Sequence, residues 1–202
     1  MIDVNLRGVV NGIVTVLPRM LSHGEGGHIV NTASTSGLLP HAGAVIYTTT
    51  KSAIIGMSEA MRSELEAQGV IVSVLCPGPV VSHISQSGRN RQAHYAESGY
   101  TVPKPTPIKQ QQQVADYLMS AEDVAAIVLE GIERDDLYIM THPEFAEGLA
   151  QRAAAQASAL PRRPHNEVLK ATMARVMTNP AFTDEINRRQ QARSPEQEKE
   201  ER

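Results

Sequence analysis

Apolar residues return at helical spacing through Val9, Val10, Ile13, Val14, Leu17, Met20 and Leu21, as on a helix with one buried face. The predicted element is a helix over 3–22, with Asp3 as its cap and a bend at Pro18, where one backbone donor is missing. A glycine-rich turn, His23-Gly24-Glu25-Gly26-Gly27, leads into His28-Ile29-Val30-Asn31-Thr32-Ala33, a short β-branched run that predicts a buried strand. Beyond a Gly/Pro/Ser loop, a second long helix is predicted over 44–68, stopped by Gly69. Val70 to Leu75 predicts the next strand, ended by Pro77-Gly78. A polar stretch over 82–120 with a glutamine tract follows. Then come a helix over 121–134 capped by Ser120 and a strand over 137–141, ended by His142-Pro143. The remainder has helical composition broken at Pro161, Pro164 and Pro180, and the last residues are charged.

Strands that alternate with helices need crossover connections, so the fold class is α/β with a parallel sheet. Three strands are few for a sheet covered on both faces. The first strand is expected to present an open edge, a liability unless something pairs with it.

Composition narrows the picture modestly. A chain of 202 residues can build one full core, and with aromatics at 3% and no Trp that core must be aliphatic. The net charge of −3, without a dense Lys/Arg stripe, gives no nucleic-acid footprint. No stretch reads as a membrane span or a secretory leader. The single cysteine, Cys76, cannot form an internal disulfide and reads as a small buried strand residue, which fits a cytoplasmic location. His41, His83 and His94 lie in loops without ligand spacing, so no metal site is expected.

The chemistry gathers at three positions. Ser34 follows the first strand, Tyr47 comes 13 residues later, and Lys51 follows Tyr47 by four, on the same helix face. Ligands of open parallel sheets bind beyond the carboxyl ends of the strands, where Ser34 and Pro77-Gly78 both fall. A free phenol titrates near 10, and bringing one to about 7 takes roughly 4 kcal/mol. A lysine cation about 4 Å away contributes on the order of 4 kcal/mol at an effective dielectric of about 20. A phenol beside a lysine can thus exchange protons with an alcohol oxygen, while a serine hydroxyl holds that oxygen. The accompanying hydride must come from a cofactor, since no side chain supplies one.

Together these residues resemble the C-terminal two thirds of a short-chain dehydrogenase/reductase, over about residues 1–145. Asp3-Val4-Asn5-Leu6-Arg7-Gly8 resembles the helix that carries the family's catalytic Asn. Gly27 to Ser34 resembles the strand leading to the catalytic Ser, and Tyr47 with Lys51 matches the YxxxK pair. Pro77-Gly78-Pro79-Val80-Val81-Ser82 resembles the segment that touches the nicotinamide, with Ser82 where Thr is common. The resemblance implies an oxidoreductase using NAD or NADP to interconvert a secondary alcohol and a ketone. It assigns Tyr47 as acid/base, Ser34 as substrate anchor, Lys51 as the tuner of Tyr47 and ribose ligand, and Asn5 as holder of a relay water. Pro77, Gly78, Val80 and Ser82 would line the cofactor, with Val80 offering backbone groups to the carboxamide. The family's helices corresponding to 3–22 and 44–68 form a dimer interface, so a homo-oligomer is expected.

The family's TGxxxGxG turn and NNAG segment have no counterpart in this sequence. The expectation is therefore a partial Rossmann-like doubly wound sheet lacking its N-terminal strands, from an N-terminally shortened product. Its parts are a catalytic portion over 1–145 with a substrate lid over 82–120, a helical extension over 146–193 and a disordered tail over 194–202. Arg89, Arg91, His94, Tyr95 and Tyr100 fall in the lid. The alternative is a non-enzymatic pseudo-dehydrogenase that associates through its long helices.

Overall fold

The computed structural model describes residues 1–84, 117–164, 166–176 and 179–192, with positions 87 and 93. The described residues form two compact units, one of Met1–Gly78 with Val128–Arg202 and one of Pro79–Ile127. In the first unit, β1 (Gly27–Thr32), β2 (Val70–Cys76) and β3 (Tyr138–Met140) form a parallel sheet in the order β1-β2-β3. Gly27 pairs with Val70 and Thr32 with Leu75, while Val74 pairs with Tyr138 and Cys76 with Met140.

Two helices, α1 (Gly8–His23) and α3 (Val45–Leu65), supply the apolar cover. Val70, Val72, Val74 and Cys76 share one face of β2 by the two-residue period of a strand and are all buried, and Ser73 and Leu75 on the other face are buried too. Val74 and Cys76 pack with Ala33, Ile54 and Ile55, and Leu6 and Val9 close this cluster. Val70 and Val72 pack with Leu65, and Leu17, Met20 and Met61 close that one. Gly69 ends the α3 segment at φ +76°, a left-handed conformation that glycine adopts without strain.

Three expectations are corrected. The chain does not enter its first helix through an Asp3 cap. Residues Asp3–Arg7 form a π-helical turn continuous with α1, and Asp3 pairs instead with Arg7 at 3.0 Å. The loop after β1 is not plain, because Thr35–Leu38 form a four-residue helix, α2. The third strand is shorter than the apolar run suggests, since Leu137 lies outside it. Helix α1 itself continues through Pro18 to His23.

Helix α4 (Ala121–Glu133) starts with Ser120 Oγ accepting from the Asp123 N–H at 3.0 Å. After β3, Pro143 opens a short 3₁₀ turn into α5 (Ala146–Ser158), followed by α6 (Glu167–Val176) and α7 (Pro180–Ala192). The open edge expected was that of the first strand; helix α7 lies instead at the other edge, at β3. Glu185 Oε2 accepts from the Leu137 N–H at 2.7 Å, and Arg189 donates to the Tyr138 carbonyl. Ala181 and Glu185, one turn apart, are both buried. Side chains of a helix thus take the backbone groups that a neighbouring strand would otherwise pair. Among the described residues, β1 has β2 as its one strand neighbour. The expected lid residues Arg89, Arg91, His94, Tyr95 and Tyr100, and the tail over 194–202, lie outside the described residues.

Candidate active site

Ser34 leaves β1 with extended backbone and caps α2. Its Oγ accepts the Ser36 N–H at 3.1 Å. A serine hydroxyl has one hydrogen and two lone pairs. This contact uses a lone pair, so the Ser34 hydrogen stays available to a substrate oxygen. The residue is 7% exposed.

Tyr47 and Lys51 lie on the first turns of α3. The Lys51 ammonium stands 5.7 Å from the centroid of the Tyr47 ring, within cation–π range. Lys51 Nζ donates to the Thr32 carbonyl at 2.9 Å. That single bond ties the start of α3 to the end of β1, two residues before Ser34. An ammonium has three donors, so two remain for other oxygens. Burial pulls the Lys51 ammonium below its ordinary range, and the charge of a Cys76 thiolate would oppose this. Burial, with the Glu59 carboxylate nearby, in turn pushes the Cys76 thiol up to about 12, so at neutral pH it is uncharged and the burial effect on Lys51 prevails.

The end of β2 is held from both sides. The Thr35 N–H and Oγ1 both donate to the Pro77 carbonyl at 3.1 Å. On the other side the Gly78 N–H donates to Thr141 Oγ1 at 2.9 Å. A Cβ at Gly78 would lie 2.6 Å from His142 Nδ1 and 2.8 Å from Phe145, so this position takes glycine for lack of room. The ends of all three strands are therefore stapled through the Pro77–Gly78 backbone.

Of the residues singled out from sequence, Lys51 is bonded to the end of β1 with the Tyr47 ring beside it, and Ser34, Pro77 and Gly78 follow the carboxyl ends of β1 and β2. Asn5, half-buried, lies in the π-helical turn, which packs against α3. A π-turn at a candidate catalytic position fits the wider pattern of such turns at functional sites. Val80 and Ser82 belong to the second unit. There Val80 bridges Met119, the Val81 N–H donates to the Met119 carbonyl at 3.0 Å, and Ser82 Oγ accepts from Ile84.

Sequence reasoning missed Thr35, Thr141 and the Thr32 carbonyl. Thr35 adjoins Ser34 and Thr141 closes the third strand, so a search for hydroxyls at strand ends would have found both. A backbone carbonyl leaves no mark in a sequence. Among the described residues no group of three or more His, Cys, Asp or Glu could hold a metal ion, and no helix is long and apolar enough to cross a membrane.

A dinucleotide can be tested against this donor set. The free Lys51 donors and the fixed Pro77–Gly78 backbone suit the ribose and nicotinamide end. For the pyrophosphate, a glycine-rich turn opening a helix is needed. The turn at Gly24-Glu25-Gly26-Gly27 opens β1 instead. The residues present fit one end of the cofactor.

Known proteins carry the same pattern. A family model for short chain dehydrogenases matches residues 1–93. A C alpha-dehydrogenase from Sphingobium sp. strain SYK-6 is 38% identical over 154 residues, covering 76% of this chain and 50% of that protein. A 1-deoxy-11-beta-hydroxypentalenate dehydrogenase from Streptomyces exfoliatus is 32% identical over 128 residues, 63% of this chain and 40% of that protein. Among solved structures, a short chain dehydrogenase/reductase from Burkholderia phymatum in complex with NAD superposes with a TM-score of 0.62. It is 29% identical, and the match covers 80% of this chain and 59% of that one. The chain spans about half the length of the curated relatives it matches.

Proposed function

We propose that this chain, which belongs to the short-chain dehydrogenase/reductase family, carries the proton-transfer machinery of an NAD- or NADP-dependent oxidoreductase interconverting a secondary alcohol and a ketone. The observation that carries the proposal is the bond from Lys51 to the Thr32 carbonyl, with the Tyr47 ring beside the same ammonium. That one cation links the phenol-bearing helix to the strand that leads to Ser34.

Ser34 donates its free hydrogen to the substrate oxygen and stabilises the charge that develops there. Tyr47 accepts the alcohol proton in oxidation and returns it in reduction. Lys51 stands beside the Tyr47 ring and offers its two remaining donors to ribose hydroxyls. Asn5 holds a water behind Lys51 through which the proton leaves. Pro77 and Gly78 line the nicotinamide. The cofactor supplies or accepts the hydride when bound. The relative in complex with NAD supports a nicotinamide cofactor without choosing between NAD and NADP. A small alcohol or ketone is the partner, and a cytoplasmic location fits the free, buried Cys76.

The test joins this chain to a cofactor-binding half. The N-terminal part of the Sphingobium C alpha-dehydrogenase, fused ahead of residue 1, should yield alcohol oxidation with NAD or NADP. Tyr47→Phe should lower turnover by about 10²–10⁴-fold with an unchanged melting temperature. Full activity in the Phe variant would refute the assignment.

A second reading, association without turnover, rests on Val4, Val14 and Val45, which are 77%, 67% and 71% exposed on the turn, α1 and α3. Self-association through these helices is compatible with either reading. Sedimentation equilibrium showing only monomer at micromolar concentration would argue against it. A fused protein without activity would favour the associative reading.

A further inference from the structure

Helix α2 lies between Ser34 and Tyr47 in the chain and begins at Ser34. It is held on two sides. Toward α3, Gly37 comes so close that a Cβ there would lie 2.8 Å from the Lys51 carbonyl carbon and 2.8 Å from Ile55 Cδ1. Ser52, the residue after Lys51, donates its hydroxyl to the Gly37 carbonyl at 2.8 Å. A second hold comes from α5, in the extension after the third strand. Arg152 Nη1 donates to the Leu38 carbonyl and reaches the Gly37 carbonyl at 3.4 Å. The methyl groups of Leu39 lie where Gly148 of α5 leaves space, since a Cβ there would stand 3.1 Å away.

We infer that Arg152 is a positioning residue, which ties off the carboxyl end of α2 and so fixes the direction of the Ser34 hydroxyl at the opposite end. The last carbonyls of a helix lack partners within it, and a cation there is favourable. Four residues form barely one turn and do not hold together by themselves. The turn persists because Ser34 caps one end and Ser52 and Arg152 take the carbonyls at the other. On this inference the C-terminal extension is part of the catalytic scaffold, not an appendage to it. The inference rests on the proposed role of Ser34, and the helical geometry it invokes can be probed without turnover.

The experiment uses the full 202-residue chain and amide hydrogen exchange by NMR. Ser36, Gly37 and Leu39 report on α2, and Val72 and Val74 in β2 report on the global fold. Arg152→Gln should speed exchange at the α2 amides by about tenfold or more, the scale of one charged hydrogen bond, with β2 unchanged. It should also move the Ser36 amide resonance, which reads the bond to Ser34 Oγ. Arg152→Lys, which keeps a cation within reach of the carbonyls, should restore much of the protection. Unchanged α2 exchange in Arg152→Gln would overturn the inference. So would equal acceleration in β2, or a lysine variant no better than glutamine. In the fused enzyme, Arg152→Gln should lower kcat more than it changes KM, and an unchanged kcat would also overturn it. A Tyr47→Phe variant that keeps full turnover, with α2 exchange still dependent on Arg152, would instead locate the failure in the catalytic reading.

Discussion

Removing Glu185 should show how much of the fold depends on α7. Its carboxylate accepts the Leu137 N–H at 2.7 Å and pairs with Arg189 at 3.0 Å and Arg188 at 3.2 Å. The residue is 7% exposed. Glu185→Ala leaves the Leu137 N–H buried without an acceptor, at a cost of about 1–3 kcal/mol. Arg188 and Arg189 are 25% and 41% exposed, so solvent screens their loss to under about 1 kcal/mol in all. The expected destabilisation is about 1–4 kcal/mol, a fall of roughly 3–12 °C in Tm for a chain of this size. Glu185→Gln keeps an amide oxygen for Leu137 and should lose only about 1 kcal/mol. Urea melts monitored by circular dichroism measure both. Equal losses in the two variants, or a loss below about 0.5 kcal/mol in the alanine variant, would refute the edge-cap reasoning. The charge adds a pH signature. Burial by itself would raise the carboxyl, but the Leu137 N–H and the two arginines outweigh it and hold it below the usual range. A depressed carboxyl stabilises the fold above its unfolded value, and that contribution is lost as pH falls through the folded value. The stability difference between wild type and Glu185→Gln should therefore shrink on acidification below about pH 4.5.

Further outcomes follow from the same geometry. Gly37→Ala drives a Cβ into the Lys51 backbone and should cost about 1–3 kcal/mol in a urea melt, whereas Gly12→Ala, with nothing within 4 Å, should gain about 0.5–1 kcal/mol. Ser73 gives its one hydrogen to the Asp136 carbonyl, so neutral His28 must donate from Nε2 to Ser73 Oγ, at 2.7 Å. Burial lowers the His28 pKa, Asp135 at 3.8 Å opposes and Arg62 reinforces the shift. The unfolded chain thus takes up the proton first as pH falls through about 6.5, so stability should decline below that point, and His28→Gln should flatten the decline. The chain by itself should bind NAD(H) and NADP(H) very weakly, and a micromolar dissociation constant by calorimetry would refute that. Loss of α7 by truncation at residue 176 should bare the β3 edge and promote self-association on size exclusion; a monomeric truncated chain would count against it.

The sheet and its chemistry were legible because both are local. β-branched runs ended by Ser34 and by Pro77-Gly78 mark strands and their carboxyl rim, and the four-residue step from Tyr47 to Lys51 places both on one helix face. Any account of what holds those groups had to wait for the fold. Arg152 lies 115 positions from Gly37 and Glu185 lies 48 from Leu137. Neither contact has a spacing that periodicity can register. The π-turn at Asn5 was missed for a related reason. Its apolar pattern suits an α-helix equally well, with Leu6 and Val9 packed against the cluster of Ala33, Ile54 and Cys76.

The sequence by itself determined the parallel α/β architecture and singled out the groups proposed to react, since hydrophobic period and short-range spacing are properties of the chain alone. Only the tertiary structure decided that α7 closes the β3 edge and α5 braces α2. Buried backbone donors and acceptors must find partners, and which side chain reaches them depends on packing between segments far apart in the chain.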